Sequence, residues 1–264
     1  MDKEIKDFNK GILDYFLEDY SDTSDPNEMI FIGDTYYELG TLENYYQASC
    51  WYSKAIAILE CPKGEKLNNT NEVVSATKFK LGILYKNGYG VSKDYSLAYH
   101  FFREAAEYGN VKAMFQLGQM YELGEGCTKN YVTALTYYKK SAQRGNTYAL
   151  LKLAILYNEG KIVLQDKSKA YNFFFKAKNS CGLKISDLNE KYLEICLSAT
   201  QLGNVNAMFD VAEFYTYGCK GVEKNLKYAV QYLSRAILEI NPHVTLNAFS
   251  VKRTGIFSDI FDED

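Results

Sequence analysis

A pattern of apolar, small and aromatic positions recurs at a fixed interval along the middle of the chain. Residues 80–85, 116–121 and 152–157 each carry a leucine, then Gly or Ala, and then a tyrosine three residues after the small residue. Successive copies lie 36 residues apart. Residues three apart share one face of a helix, so a small residue beside a large ring predicts a helix that a second helix approaches closely. Looser copies centre on Gly33 and Ala212.

A second pattern follows each copy and predicts the partner helix. It begins with a polar residue that suits a helix N-cap, and an alanine comes four residues later. An aromatic or apolar pair and another small residue continue the same buried stripe. The predicted N-cap residues are Asn44, Asp94, Asn130, Asp166 and Asn225. Glycine-rich turns separate the two helices, and a Gly-Asn pair ends the second helix at 109–110, 145–146 and 203–204.

The repeating unit predicts an all-α fold, a solenoid of about five tandem helix-turn-helix repeats. The units lie near 27–60, 74–109, 110–145, 146–178 and 204–240, and an extra helix at 187–202 follows the fourth. Residues 1–22 are expected to form an N-terminal capping helix. The tail at 241–264 carries Phe249, Val251, Ile256, Phe257, Ile260 and Phe261 before an acidic end. That tail is either a cap over the last unit or a segment that docks on another molecule.

These units resemble the Sel-one-like repeat family, a relative of the tetratricopeptide repeat. The similarity is closest over residues 76–145, where Leu-Gly-x-x-Tyr, Gly-x-Gly and the final Gly-Asn all stand at the family's positions. The resemblance implies a right-handed α/α superhelix and a scaffold or adaptor role in protein assemblies. Two features depart from the family pattern: the shorter loop at 40–42 and Ile162, which replaces a turn glycine.

By analogy with tetratricopeptide geometry, four positions around each small residue should face the concave surface, where a partner binds. One ladder of such positions is Ile30, Phe79, Phe115, Leu151 and Phe209. Beside it lie Asp34, Tyr37, Lys86, Asn87, Gln119, Glu122, Asn158, Glu213 and Thr216. The ladder has two interpretations, packing between units and contact with a partner, and aromatic stripes at helical spacing favour packing.

Composition and charge restrict the classes of function that we expect for this chain. The net charge of −3 and the pI near 5.6 argue against nucleic-acid binding. The six cysteines form no Cys-x-x-Cys pair, and the two histidines, His100 and His243, stand in no metal or triad motif. We therefore expect no catalytic residue, no cofactor and no metal, and a non-enzymatic scaffold or adaptor with protein or peptide partners. The alternatives are a hydrolase or ligand-modifying enzyme on the same solenoid, and a structural subunit of a larger complex.

The start of the chain is charged, and no long apolar stretch follows. A secretory signal and a membrane span are therefore not expected, which favours the cytoplasm, with host-directed secretion left open. A monomer is the expected state.

Overall fold

The computed structural model describes residues 23–61, 70–181 and 184–241 of the 264-residue chain. The predicted N-terminal capping helix and the tail beyond Asn241 lie outside the described residues. Within them are eleven α-helices and no strand apart from two isolated β-bridges. The helices are α1 Pro26–Leu39, α2 Leu42–Leu59, α3 Thr70–Asn87, α4 Tyr95–Glu107, α5 Val111–Leu123, α6 Tyr131–Gln143, α7 Thr147–Glu159, α8 Lys167–Cys181, α9 Glu190–Gln201, α10 Val205–Tyr217 and α11 Leu226–Ile240. The all-α prediction is confirmed.

Ten of these helices form hairpins, in which consecutive helices pack along each other: α1 with α2, α3 with α4, α5 with α6, α7 with α8, and α10 with α11. The contacts divide the chain into two units, 1–146 and 147–264. The first unit contains three hairpins. The second contains two hairpins and the extra helix α9.

Side-chain caps explain where most second helices begin. Asp94, Asn130 and Asn225 each accept a hydrogen bond from the backbone N–H three residues later, at 2.9, 3.0 and 3.0 Å. The predicted cap at Asn44 is wrong. The first hairpin has a shorter loop, so α2 already begins after Thr41, whose hydroxyl accepts from the Asn44 backbone N–H at 3.2 Å.

The core of each hairpin in the first unit is a glycine on the first helix packed against a ring on the second. A Cβ added at Gly82 would lie 2.6 Å from the nearest atom of Phe102, and one at Gly118 would lie 2.5 Å from Tyr138. Both rings are fully buried. Gly33 meets Tyr52 in the same way, at 2.6 Å. The close approach that the small-residue pattern predicted is present in all three hairpins.

A turn glycine in the second and third hairpins of the first unit lets each pack closely against the hairpin before it. Gly90 and Gly126 have left-handed φ angles of 65° and 67°. A Cβ on Gly90 would lie 2.2 Å from the Tyr46 backbone nitrogen, and one on Gly126 would lie 2.0 Å from the Tyr95 carbonyl oxygen. Glycine is therefore required twice over, by its conformation and by the space available.

The extra helix α9 begins later than the predicted 187. Residues 185–187 form a 3₁₀ turn, and Asn189 caps α9 by accepting from the Lys191 backbone N–H at 3.2 Å. After α9 ends at Gln201, Gly203 and Asn204 follow, and Asn204 caps α10. Gly109 and Asn110 stand in the same relation to α4 and α5. It also packs against both α8 and α10. α9 therefore occupies the place of a second helix, with a short 3₁₀ segment where its first helix would stand.

Candidate partner-binding groove

The first unit carries an open groove of about 1610 Å³. First helices α1, α3 and α5 contribute most of its walls, and the C-terminal end of α2 and the turn between α4 and α5 close its sides. The lining residues are Tyr37, Leu59, Glu60, Asn71, Glu72, Val74, Ser75, Ala76, Phe79, Lys80, Ile83, Tyr108, Gly109, Asn110, Val111 and Lys112. The lining combines apolar side chains with a smaller number of polar and charged ones, a composition that suits a binding site.

Two of the residues predicted for a partner surface, Tyr37 and Phe79, line this groove. Each is held by an aromatic neighbour on a second helix. The Tyr37 ring meets Tyr45 edge-on at 5.2 Å between centroids, and the Phe79 ring lies 5.8 Å from Phe102. Phe79 is therefore partly a packing residue and partly groove surface.

Phe115 follows Phe79 on the ladder and makes the same kind of contact, 5.7 Å from the Tyr138 ring. It is half-buried and does not line the groove. Both ring contacts join the two helices of one hairpin, so they are packing within a unit. The packing between units that the sequence analysis favoured stays a prediction.

Asp34 and Glu122, two further predicted contact residues, accept hydrogen bonds from buried tyrosines. The Tyr52 hydroxyl donates to Asp34 Oδ1 at 2.6 Å, and the Tyr138 hydroxyl donates to Glu122 Oε2 at 2.6 Å. Burial and then the acceptor carboxylate raise the pKa of both tyrosines far above the ordinary value, so both hydroxyls remain donors. Lys80 also pairs with Asp34 and so joins α3 to α1.

The other predicted residues of the first unit lie at or near the end of a first helix. Lys86 donates to Gln116 Oε1 at 2.8 Å and so links α3 to α5. Burial lowers the pKa of the Lys86 ammonium, although Glu125 acts in the opposite direction. Asn87 is exposed at the end of α3, and Gln119 is half-buried in α5.

In the second unit the predicted residues have mixed environments. Leu151 is buried, whereas Phe209 is 38% exposed. The Asn158 side chain accepts from Lys167 at 3.1 Å, and the Thr216 hydroxyl donates to a backbone carbonyl of its own helix. Glu213 is an ion-pair partner of Lys178.

That ion pair belongs to a polar cluster that joins α8 to α10. The buried Asp210 accepts from Tyr171 at 2.6 Å and from Lys178 at 2.7 Å. Burial works to lower the pKa of Lys178, but the hydrogen bonds to Asp210 and Glu213 outweigh it and raise that pKa. The cluster is satisfied within the fold, which makes its charges structural.

Sequence reasoning missed most of the groove because it sampled only positions near the small residue. Ser75 and Glu72 lie four and seven residues before Phe79, on the same face of the long helix α3. Val111 stands four residues before Phe115 in the same relation. Stepping backward from the ladder at helical spacing would have found this half of the surface.

The described ranges contain no group of three or more His, Cys, Asp and Glu residues that could hold a metal ion. His100 is exposed, and its ring meets Tyr99 edge-on at 5.7 Å. Glu104, on the same helix, accepts a hydrogen bond from Lys78. His243 lies outside the described residues. Among the helices of the described part, none is long and apolar enough to cross a membrane.

A family model described as the Sel1 repeat matches residues 76–110, 111–146, 147–180 and 205–239, just over half of the chain. The chain belongs to the Sel1 repeat family. The matched ranges coincide with the hairpins α3/α4, α5/α6, α7/α8 and α10/α11. The resemblance inferred from the sequence is thus confirmed.

Three solved structures are similar to this chain. A Sel1 repeat protein from Oxalobacter formigenes is 26% identical, with a TM-score of 0.51 over 80% of this chain and 85% of that one. The protein c5321, described as a protective antigen of uropathogenic Escherichia coli with this repeat fold, is 21% identical, with a TM-score of 0.42 over 91% of this chain and 67% of that one. A Klebsiella pneumoniae protein is 19% identical, with a TM-score of 0.40 over 81% and 86%. No curated protein sequence matches this chain.

Proposed function

We propose that this Sel1 repeat protein is a non-enzymatic scaffold or adaptor that binds a peptide segment of a protein partner in the groove of its first unit. The observation that carries the proposal is the groove itself, about 1610 Å³ of open space along α1, α3 and α5. Helical repeats use such extended surfaces to bind partners. The groove suits a peptide segment better than a small metabolite, because it is large and open to solvent, whereas metabolite sites enclose most of their ligand.

The chemistry of the lining supports a partner with both apolar and charged side chains. Phe79 and Ile83 supply an apolar floor, whereas Glu72 and Lys112 are exposed at the rim with opposite charges. Apolar residues at the centre of an interface supply most of the binding energy, and charges at the rim set orientation and specificity.

Two groove variants test the proposal after affinity capture and mass spectrometry have identified a partner. Ala76 is exposed and lines the groove, so Ala76→Trp fills the space without disturbing the core. The double variant Glu72→Lys/Lys112→Glu exchanges the rim charges and keeps the net charge. We expect each to weaken binding of the purified partner by at least about tenfold in calorimetry.

Matched controls change the same properties outside the groove. Gln143→Trp adds the same ring at an exposed position in α6, and Arg103→Glu/Glu107→Arg exchanges an exposed pair on α4. Both should bind the partner as the unmodified chain does. Undiminished binding by Ala76→Trp would remove the groove from the proposal. Chemical turnover of the captured molecule would favour the hydrolase alternative. Binding that the control variants lose and the groove variants keep would favour a structural subunit of a larger complex.

We further propose the cytoplasm as the place of action. Five cysteines of the described residues are free thiols, a state that reducing compartments maintain. Fractionation of the source cells with an antibody to the chain tests this; recovery outside the cell would favour the host-directed alternative.

A further inference from the structure

The part of the chain around α6 contains basic residues and no acid. From Gly126 to Asn158 there is no Asp or Glu, although acids make up 33 of the 264 residues of the chain. The basic residues that belong to α6 and its two flanking turns are Lys129, Lys139, Lys140 and Arg144. All four are exposed. This helix therefore carries a positive charge that no acid of its own segment balances.

The exposed face of α6 points away from its partner helix α5. Tyr138, on the opposite side of α6, is completely buried in the hairpin. The centre of the exposed face, at steps of four, three and four residues, is formed by Val132, Thr136, Lys139 and Gln143. Val132 is 76% exposed, and Tyr131 beside it is 44% exposed. The face thus combines cations with a small apolar area at the N-terminal end of the helix.

The four cations pair with no carboxylate among the described residues. Lys129 lies over the Tyr131 ring, 4.9 Å from its centroid, and Lys140 lies over the Tyr137 ring at 5.6 Å. The face of a ring orients a cation and leaves its charge in place. These charges are therefore available to an anionic partner.

The neighbouring second helix, α4, restricts the shape of that partner. Arg144 donates to the Gly109 backbone carbonyl at 3.0 Å, so the end of α6 lies beside the end of α4. There Arg103 and Glu107 are both exposed and pair with each other at 3.8 Å. A broad anionic surface such as a membrane would cover both helices and meet Glu107, where like charges repel. An acidic segment that follows α6 alone, 13 residues or about 20 Å long, meets cations only.

We propose that the exposed face of α6 binds an acidic segment of a partner protein, with an apolar residue of that segment against Tyr131 and Val132. Charge complementarity of this kind accelerates association and selects the partner. The surface is separate from the groove, whose described lining contains no residue of α6, and it does not depend on what the groove binds. The chain then has two binding surfaces, as a protein that joins two partners requires.

Two fluorescein-labelled peptides test the proposal by fluorescence anisotropy with the full chain. Each has eight glutamates, flanked by a serine at both ends in one peptide and by a leucine at both ends in the other. We expect both to bind at about 50 mM NaCl, the leucine peptide more tightly, and both to lose affinity at least about tenfold at about 500 mM NaCl, because salt screens exposed charges. Lys139→Glu/Lys140→Glu should weaken both by at least about tenfold, and Val132→Ser should weaken only the leucine peptide. Equal affinity of the two peptides would overturn the apolar contact.

Lys224→Glu/Lys227→Glu supplies the matched control, because it changes the net charge equally at two exposed lysines of the second unit. It should bind both peptides as the unmodified chain does, and so should Ala76→Trp in the groove. The proposal is overturned if neither peptide binds, if Lys139→Glu/Lys140→Glu binds as the unmodified chain does, or if either control loses as much affinity. Binding to phosphatidylserine vesicles but to neither peptide would assign the face to a membrane and equally overturn it.

Discussion

The contact between Gly118 and Tyr138 supports a quantitative prediction for Gly118→Ala. The added Cβ would lie 2.5, 2.6 and 3.1 Å from three carbons of the Tyr138 ring, against about 3.5 Å or more for an ordinary carbon contact. The ring cannot retreat easily, since it is fully buried and its hydroxyl is bonded to Glu122. Overpacking of this kind costs about 2–3 kcal/mol, whereas replacing a helical glycine by alanine contributes about 1 kcal/mol of stability.

The difference of those two effects is a net loss of about 1–2 kcal/mol in the free energy of unfolding. Urea denaturation followed by circular dichroism at 222 nm measures it. The double variant Gly118→Ala/Tyr138→Leu should lose less than the sum of its single variants, because Ala212 already stands opposite Leu233 at this register of the last hairpin. A more stable Gly118→Ala protein, or strictly additive variants, would falsify the steric reasoning.

Three further predictions concern buried polar groups. Tyr138→Phe keeps the ring and removes the hydrogen bond to Glu122, so we expect a loss of about 1–2 kcal/mol in urea unfolding. Lys178→Met leaves the buried Asp210 carboxylate without its cation and should cost about 3 kcal/mol by the same measurement. Burial raises the pKa of the Cys196 thiol well above its usual value, so at pH 8 iodoacetamide should modify it only as fast as the fold opens.

Each of these predictions has a control on a neighbouring surface. Tyr137→Phe, whose ring stacks on Tyr121, should change stability by less than about 0.5 kcal/mol, and so should Lys176→Met, an exposed change on α8. Exposed Cys61 should react rapidly. Losses as large in these variants as in their buried counterparts, or alkylation of Cys196 at the rate of Cys61, would contradict the assignments.

The periodic part of the fold was predictable because it depends on local contacts that recur. The small residue and the ring at Gly82 and Phe102 define a hairpin core that any copy must reproduce. The start of α9 was less predictable, because the chain there abandons the repeat and a 3₁₀ turn precedes the Asn189 cap. Thr41 was missed for the related reason that a shortened loop shifts the cap by three residues.

The groove was harder to predict than the fold, because its walls come from helix ends that the repeat pattern leaves unspecified. Tyr37 and Phe79 followed from repeat geometry. Glu72 and Lys112 did not, since their positions carry no recurring residue type and depend on how far α3 and α5 extend before their small residues.

Comparison of hairpins within the chain separates acids that serve the fold from acids available to a partner. Where the second-helix ring is Tyr52 or Tyr138, the first helix supplies a carboxylate within 2.6 Å of its hydroxyl. Where that ring is Phe102, no acid stands at the corresponding positions, which hold isoleucine and lysine. A buried hydroxyl needs an acceptor, and a buried phenyl ring does not, so these carboxylates follow from the choice of ring. Glu72 has no such internal requirement, which is why the partner experiment is aimed at it and not at the carboxylates bound to tyrosine.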